Sequence, residues 1–121
     1  MVSTGIDLVY VPRIKKALDR NPAFMTRYFT TSEIELFERR GERVEILAAN
    51  FAVKEAFSKA LGTGIRGFSL QEIEVLRNEH GAPFINLYGE ARERFKESGA
   101  QHHSCSISHD GEYAVGMVLI L

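Results

Sequence analysis

Hydrophobic and polar positions change their period partway along the chain. Val2–Val9 is apolar with one carboxylate, Asp7, inside the run, which predicts a first strand. Pro12 suits the opening turn of a helix over Pro12–Arg20, stopped by Asn21-Pro22. A hydroxyl followed by an acid, Thr31-Ser32-Glu33, opens a second helix that runs to about Arg40 and ends at Gly41. A long helix is predicted over Arg43–Leu61, closed by Gly62-Thr63-Gly64. Beyond it the period falls to two. Gln71–Leu76 and Pro83–Leu87 read as short strands about the turn Asn78–Gly81, and Glu90–Ser98 as a short helix. His103–His109 and Tyr113–Leu121 read as strands joined by Asp110-Gly111. Helices early and hairpins late predict an α+β fold with antiparallel pairing.

The last strand is apolar on both faces, which a small domain covers with difficulty. Either a subunit interface covers the second face, or the strand is central with helices on one side. At 121 residues the chain has room for one domain, 1–121, and shows no repeat or linker. An apolar content of 45% is enough for a core. One cysteine excludes a disulfide framework and fits a reducing compartment. The start lacks a signal-peptide pattern, and no stretch is long enough to span a bilayer, so the expectation is a soluble, cytoplasmic protein with no membrane partner.

The net charge is only −1, but its distribution is uneven. Residues 1–29 hold Arg13, Lys15, Lys16, Arg20 and Arg27 against Asp7 and Asp19, a net +3 that leaves −4 for the remainder. A basic N-terminal surface on a near-neutral chain suggests a local acidic partner and no nucleic acid. Arg13, Lys16 and Arg20 share one helical face.

Wound at 3.6 residues per turn, the long helix gathers Val53, Ala56, Phe57 and Ala60 on one side. Glu55 and Lys59 fall one turn apart on nearly the opposite side. On spacing alone this is more commonly a surface pair that stabilises a helix. Ala52, Ala56 and Ala60 allow backbone or ligand to approach closely. Gly62 and Gly64 either turn main-chain amides toward an anion or form an ordinary helix C-cap. Asp7, within an apolar run, has three options: capping by amides, pairing with a base, or ligation of a hard cation. Two carboxylates with phosphate oxygens and water are the usual composition of a Mg²⁺ site. His109 shares a strand face with Cys105 and Ile107 and by itself reads as structural. A Ser108–His109 dyad is disfavoured, because strand neighbours point to opposite faces. His80, His102 and His103 lack the spacing of zinc ligands.

Together these segments resemble the holo-acyl-carrier-protein synthases, small bacterial 4′-phosphopantetheinyl transferases. The matching pieces are Gly5-Ile6-Asp7 with Arg13-Ile14, the run Phe51–Gly64, Gly81-Ala82-Pro83, and Ser106-Ile107-Ser108-His109 with Tyr113-Ala114. Phe29-Thr30 with Glu33 is a weaker likeness. The resemblance implies an antiparallel sheet packed against the long helix, assembled as a homotrimer with the active site between subunits. It implies transfer of the 4′-phosphopantetheine arm of coenzyme A to a serine of an apo acyl carrier protein, releasing adenosine 3′,5′-bisphosphate. By the same resemblance Asp7 and Glu55 would ligate Mg²⁺, and Lys59 would contact the diphosphate. Gly62, Gly64 and His109 would lie at the coenzyme site. Arg13, Lys16 and Arg20 would meet the carrier. Glu55 would take the serine proton, directly or through a metal-bound water. One departure is Asn50, where the family carries a basic residue. A phosphate contact is expected to be missing there, with Arg43 or Arg66 available to compensate.

Overall fold

A computed structural model describes residues 1–62 and 67–121. The elements run β1 (Ser3–Tyr10), α1 (Val11–Arg20), α2 (Ala23–Tyr28), α3 (Thr31–Arg39), α4 (Val44–Ala60), β2 (Ile73–Arg77), β3 (Pro83–Leu87), α5 (Gly89–Glu97), β4 (His103–Asp110) and β5 (Tyr113–Ile120). The arrangement is α+β, with a three-stranded antiparallel sheet ordered β1-β5-β4 and a two-stranded hairpin of β2 and β3.

Four local differences from the sequence pattern have physical causes. The six-residue α2 is too short to announce itself by periodicity and is held from outside: the Gln71 side chain donates to the carbonyls of Thr26 and Phe29. The strand expected from Gln71 begins at Ile73, because Leu70–Glu72 coil into a 3-10 turn in which the Ser69 hydroxyl accepts from the Gln71 amide. Helix α3 is capped by Thr30 rather than Thr31; the Thr30 hydroxyl accepts from the Glu33 amide while the Glu33 carboxylate accepts from the Thr30 amide. In the last hairpin Asp110 still pairs with Tyr113, so the two-residue turn is Gly111-Glu112. Gly111 supplies the positive φ such a turn needs.

Helix α4 lies directly on the backbone of β1 and β5. A methyl group on Gly5 would come within 1.8 Å of the Ala56 carbonyl oxygen, and one on Gly116 within 2.6 Å of the Val53 nitrogen. The close approach that Ala52, Ala56 and Ala60 permit is therefore made by the sheet. The Ser3 hydroxyl adds a 2.6 Å bond to the Ala60 carbonyl at the far end.

Around this contact α4 feeds two hydrophobic clusters. Leu47, Ala48, Ala49 and Ala52 join Val9, Ile14, Phe29, Phe37 and Ala114; Val53, Ala56, Phe57 and Ala60 join β2, β3, β5 and α5 through Ile73, Val75, Ile85, Val118 and Ala91. Each fully buried Leu, Val or Phe contributes about 1.5–3 kcal/mol of transfer free energy, so most of the stability converges on one helix. The opposite sheet face is open: Ile6 is 61% exposed and Leu8 63%, beside exposed Tyr113 and Met117. Among the described residues no helix is long and apolar enough to cross a membrane.

Candidate functional site

Three stripes of α4 face three surroundings. The apolar stripe meets the sheet. One step around, Asn50, Lys54 and Ser58 form a fully buried polar stripe toward α3 and β2. On the third stripe Phe51 packs against Phe24 and Tyr28 of α2, while Glu55 and Lys59 rise beside the edge strand β1. There the Lys59 ammonium lies 3.0 Å from Asp7 Oδ1 and donates to the Ile6 carbonyl at 2.9 Å. Lys59 thus pairs with Asp7 across 52 residues, rather than with Glu55 one turn away. Of the options open to Asp7, pairing with a base is the one seen.

Glu55 stands near enough to feel both groups. Burial first, and the Asp7 charge second, raise its pKa above the ordinary glutamate value, with Lys59 opposing. Two carboxylates in one another's field are a place where a divalent cation would relieve repulsion. The donor set fits Mg²⁺, which binds through one or two carboxylates and keeps its remaining positions for water and phosphate. Among the described residues no three His, Cys, Asp or Glu side chains form a cluster able to hold a metal.

His109 is not part of this cluster. It lines a separate cleft of about 260 Å³ with Arg40, Arg43, Arg77, Ile46 and Ala49. In the sheet β5 separates β4 from β1, so the two groups lie on different sides of α4. Glu45 also lines it and pairs with Arg43 at 3.3 Å, so the three guanidiniums outnumber the one carboxylate and the cleft is net basic. Arg77 is half-buried, and burial lowers its pKa without discharging it. Arg40 and Arg77 were not singled out by the sequence. The signal available was the Gly81–Pro83 turn, since Pro83 pairs with Arg77 and both Gly81 and Pro83 line the cleft.

Gly62 has the positive φ of a helix C-cap, and its amide donates to the Lys59 carbonyl at 2.9 Å, so that amide is used within the helix end. Gly64 and Arg66 lie outside the described residues. Asn50, where a phosphate contact was expected to be missing, is 0% exposed, and its amide donates to Glu33 and to the Val75 carbonyl. That side chain faces the core. Sequence reasoning also missed Lys54. Its ammonium is buried against Glu33 at 2.7 Å and donates to the carbonyls of Leu70 and Ile73. Burial raises the Glu33 carboxyl and lowers Lys54, while their pairing works against both shifts. Arg13, Lys16 and Arg20 are all exposed on α1 around the buried Ile14, and Lys15 pairs with Asp19 at 3.7 Å. Burial pushes the Cys105 thiol up to about 11, which makes it a poor nucleophile.

Comparison with known proteins places the sequence and fold in one family. The family model of the 4′-phosphopantetheinyl transferase superfamily matches residues 3–118. The chain is 45% identical over 116 residues to a holo-[acyl-carrier-protein] synthase of Clostridium botulinum, covering 96% of this chain and 94% of the relative. Among solved structures it resembles the Helicobacter pylori holo-[acyl-carrier-protein] synthase in complex with coenzyme A, at 35% identity and a TM-score of 0.86, over 98% of this chain and 99% of the other. The Neisseria meningitidis synthase gives 34% identity and a TM-score of 0.90 over 100% and 99%. With sequence, fold and nearly full-length coverage in agreement, the chain belongs to the 4′-phosphopantetheinyl transferase superfamily and is an enzyme of that class.

Proposed function

We propose that this chain, as a single domain over 1–121, transfers the 4′-phosphopantetheine arm of coenzyme A to a serine of an apo acyl carrier protein. Adenosine 3′,5′-bisphosphate would leave. The observation that carries the reading is the convergence of Asp7, Glu55 and Lys59 at the free edge of β1. Its likeness to holo-[acyl-carrier-protein] synthases, one of them in complex with coenzyme A, supports the donor and acceptor.

Asp7 and Glu55 would hold Mg²⁺, which when bound neutralises diphosphate charge and draws electron density from the phosphorus under attack. Lys59 binds the diphosphate. Its side chain is 54% exposed, so the ammonium can exchange Asp7 and the Ile6 carbonyl for phosphate oxygens. Glu55 would accept the proton of the carrier serine, directly or through a metal-bound water. The serine oxygen then bonds to the phosphorus that carries pantetheine, the diphosphate P–O bond breaks, and the leaving bisphosphate takes the electron pair. The cleft of Arg40, Arg43, Arg77 and His109 has the charge to hold the adenosine bisphosphate end.

On one chain the two groups lie on different sides of α4. A groove lined by Thr4, Gly5, Ile6 and Met117 runs from Lys59 toward the open apolar sheet face. A homotrimer in which that face meets a neighbouring copy, bringing one chain's arginine cleft to another's Lys59, accounts for both facts. The exposed stripe Arg13, Lys16 and Arg20 would receive an acidic carrier. With an acyl carrier and coenzyme A as substrates, the reaction would run in the cytoplasm and serve fatty acid biosynthesis. The test mixes the protein with coenzyme A, Mg²⁺ and several apo carriers, including the host's fatty-acid one, and weighs the carriers. The reading predicts a gain of one phosphopantetheine that a chelator abolishes. No gain on any carrier would refute it.

A further inference from the structure

Lys54 and Glu55 are consecutive on α4, so about 100° of helix rotation separates them, and whatever holds one aims the other. The Lys54 ammonium has three protons and three acceptors: Glu33 Oε1 at 2.7 Å, the Leu70 carbonyl at 2.9 Å and the Ile73 carbonyl at 2.5 Å. Glu33 is equally saturated. Its Oε1 also accepts from the Thr30 amide at 3.1 Å, and its Oε2 accepts from Asn50 Nδ2 at 3.0 Å and the Val75 amide at 3.3 Å. One carboxylate thereby joins the cap of α3, two turns of α4 and strand β2. Both side chains are 0% exposed. On its sheet-facing side α4 is stopped by Gly5 and Gly116, where even a methyl group would collide. The sheet fixes the depth of the helix, and the charged pair resists its rotation.

A buried ion pair is weak evidence for stability, because apolar residues of similar volume often serve as well. Four protein donors on one carboxylate instead specify a single orientation. We infer that the Lys54–Glu33 pair is a positioning device that sets the rotation of α4, and so holds Glu55 and Lys59 toward Asp7. The inference rests on the proposed role of Asp7 and Glu55 as holders of a divalent cation. Neither Lys54 nor Glu33 touches the reacting groups.

The test is the double variant Glu33→Gln with Lys54→Met, which removes both charges and approximately preserves volume. Mn²⁺ binding is followed by electron paramagnetic resonance in saturating coenzyme A, alongside circular dichroism and steady-state kinetics. The expected variant is folded, with a cooperative melt, binds Mn²⁺ at least about tenfold more weakly, and loses kcat while KM for coenzyme A stays within about twofold. Parent-like Mn²⁺ affinity and kcat in the folded variant would overturn the positioning role alone. A variant that cannot fold would also overturn it, making the pair a requirement of the fold. No Mn²⁺ binding by the parent chain would overturn the cation assignment, and this inference with it.

Discussion

The carboxyl of Glu55 is half-buried beside Asp7, and both burial and the neighbouring charge favour its protonated form. The folded chain therefore holds that proton more tightly than the unfolded chain, whose glutamate titrates near 4.5. Stability from this group is full below the unfolded value and is lost as pH rises through the higher folded one. At neutral pH ionised Glu55 costs stability. Glu55→Gln is predicted to melt higher than the parent at pH 7.5, with the difference closing near pH 4; equal melting at both would contradict the assigned surroundings. Lys54, one residue earlier, shows what a sequence hides. Asp7, Glu55 and Lys59 were legible because a specific run, Phe51–Gly64, stood in order with Gly5–Asp7. Adjacent Lys and Glu look alike on paper, and the partner of Lys54 lies 21 residues away, so only tertiary packing distinguishes a buried clamp from a surface charge.

Among elements, α4 was legible in extent to within a residue at each end, since a long apolar stripe with a glycine stop is a strong local signal. Its contact with the sheet was not, because Gly5 and Gly116 look like ordinary strand glycines until the register sets them on the face beneath the helix. Gly5→Ala must push α4 off β1 and is predicted to cost about 3 kcal/mol, read as a lower urea midpoint; an unchanged midpoint would mean the helix sits further away. Helix α1 carries the complementary prediction. Reversing Arg13, Lys16 and Arg20 to Glu together should lower kcat/KM for the carrier about 10- to 100-fold at low salt, leave KM for coenzyme A unchanged, and flatten the parent's salt dependence. A salt dependence equal to the parent's would remove α1 from the carrier surface.

At the scale of the molecule, the doubly apolar β5 raised a question that the fold answers on one side only. Helix α4 covers Ala114, Gly116 and Val118, while Ile6, Leu8, Tyr113 and Met117 stay open on the other face. Such a face on a small domain is expected to be covered by another copy. Sedimentation should give a trimer, and Met117→Lys should dissociate it and lose activity; an active monomer would contradict the shared site. The separation of His109 from Asp7 was not legible in the sequence, which contains no statement of which side of a helix a distant strand will occupy. The central claim remains that Asp7, Glu55 and Lys59 are the reacting centre. It is tested most directly by intact-mass measurement of an apo carrier incubated with coenzyme A, Mg²⁺ and either the parent or Glu55→Ala, both verified as folded. The account predicts complete conversion by the parent and no phosphopantetheine added by the variant. Conversion by Glu55→Ala at the parent's rate would contradict it.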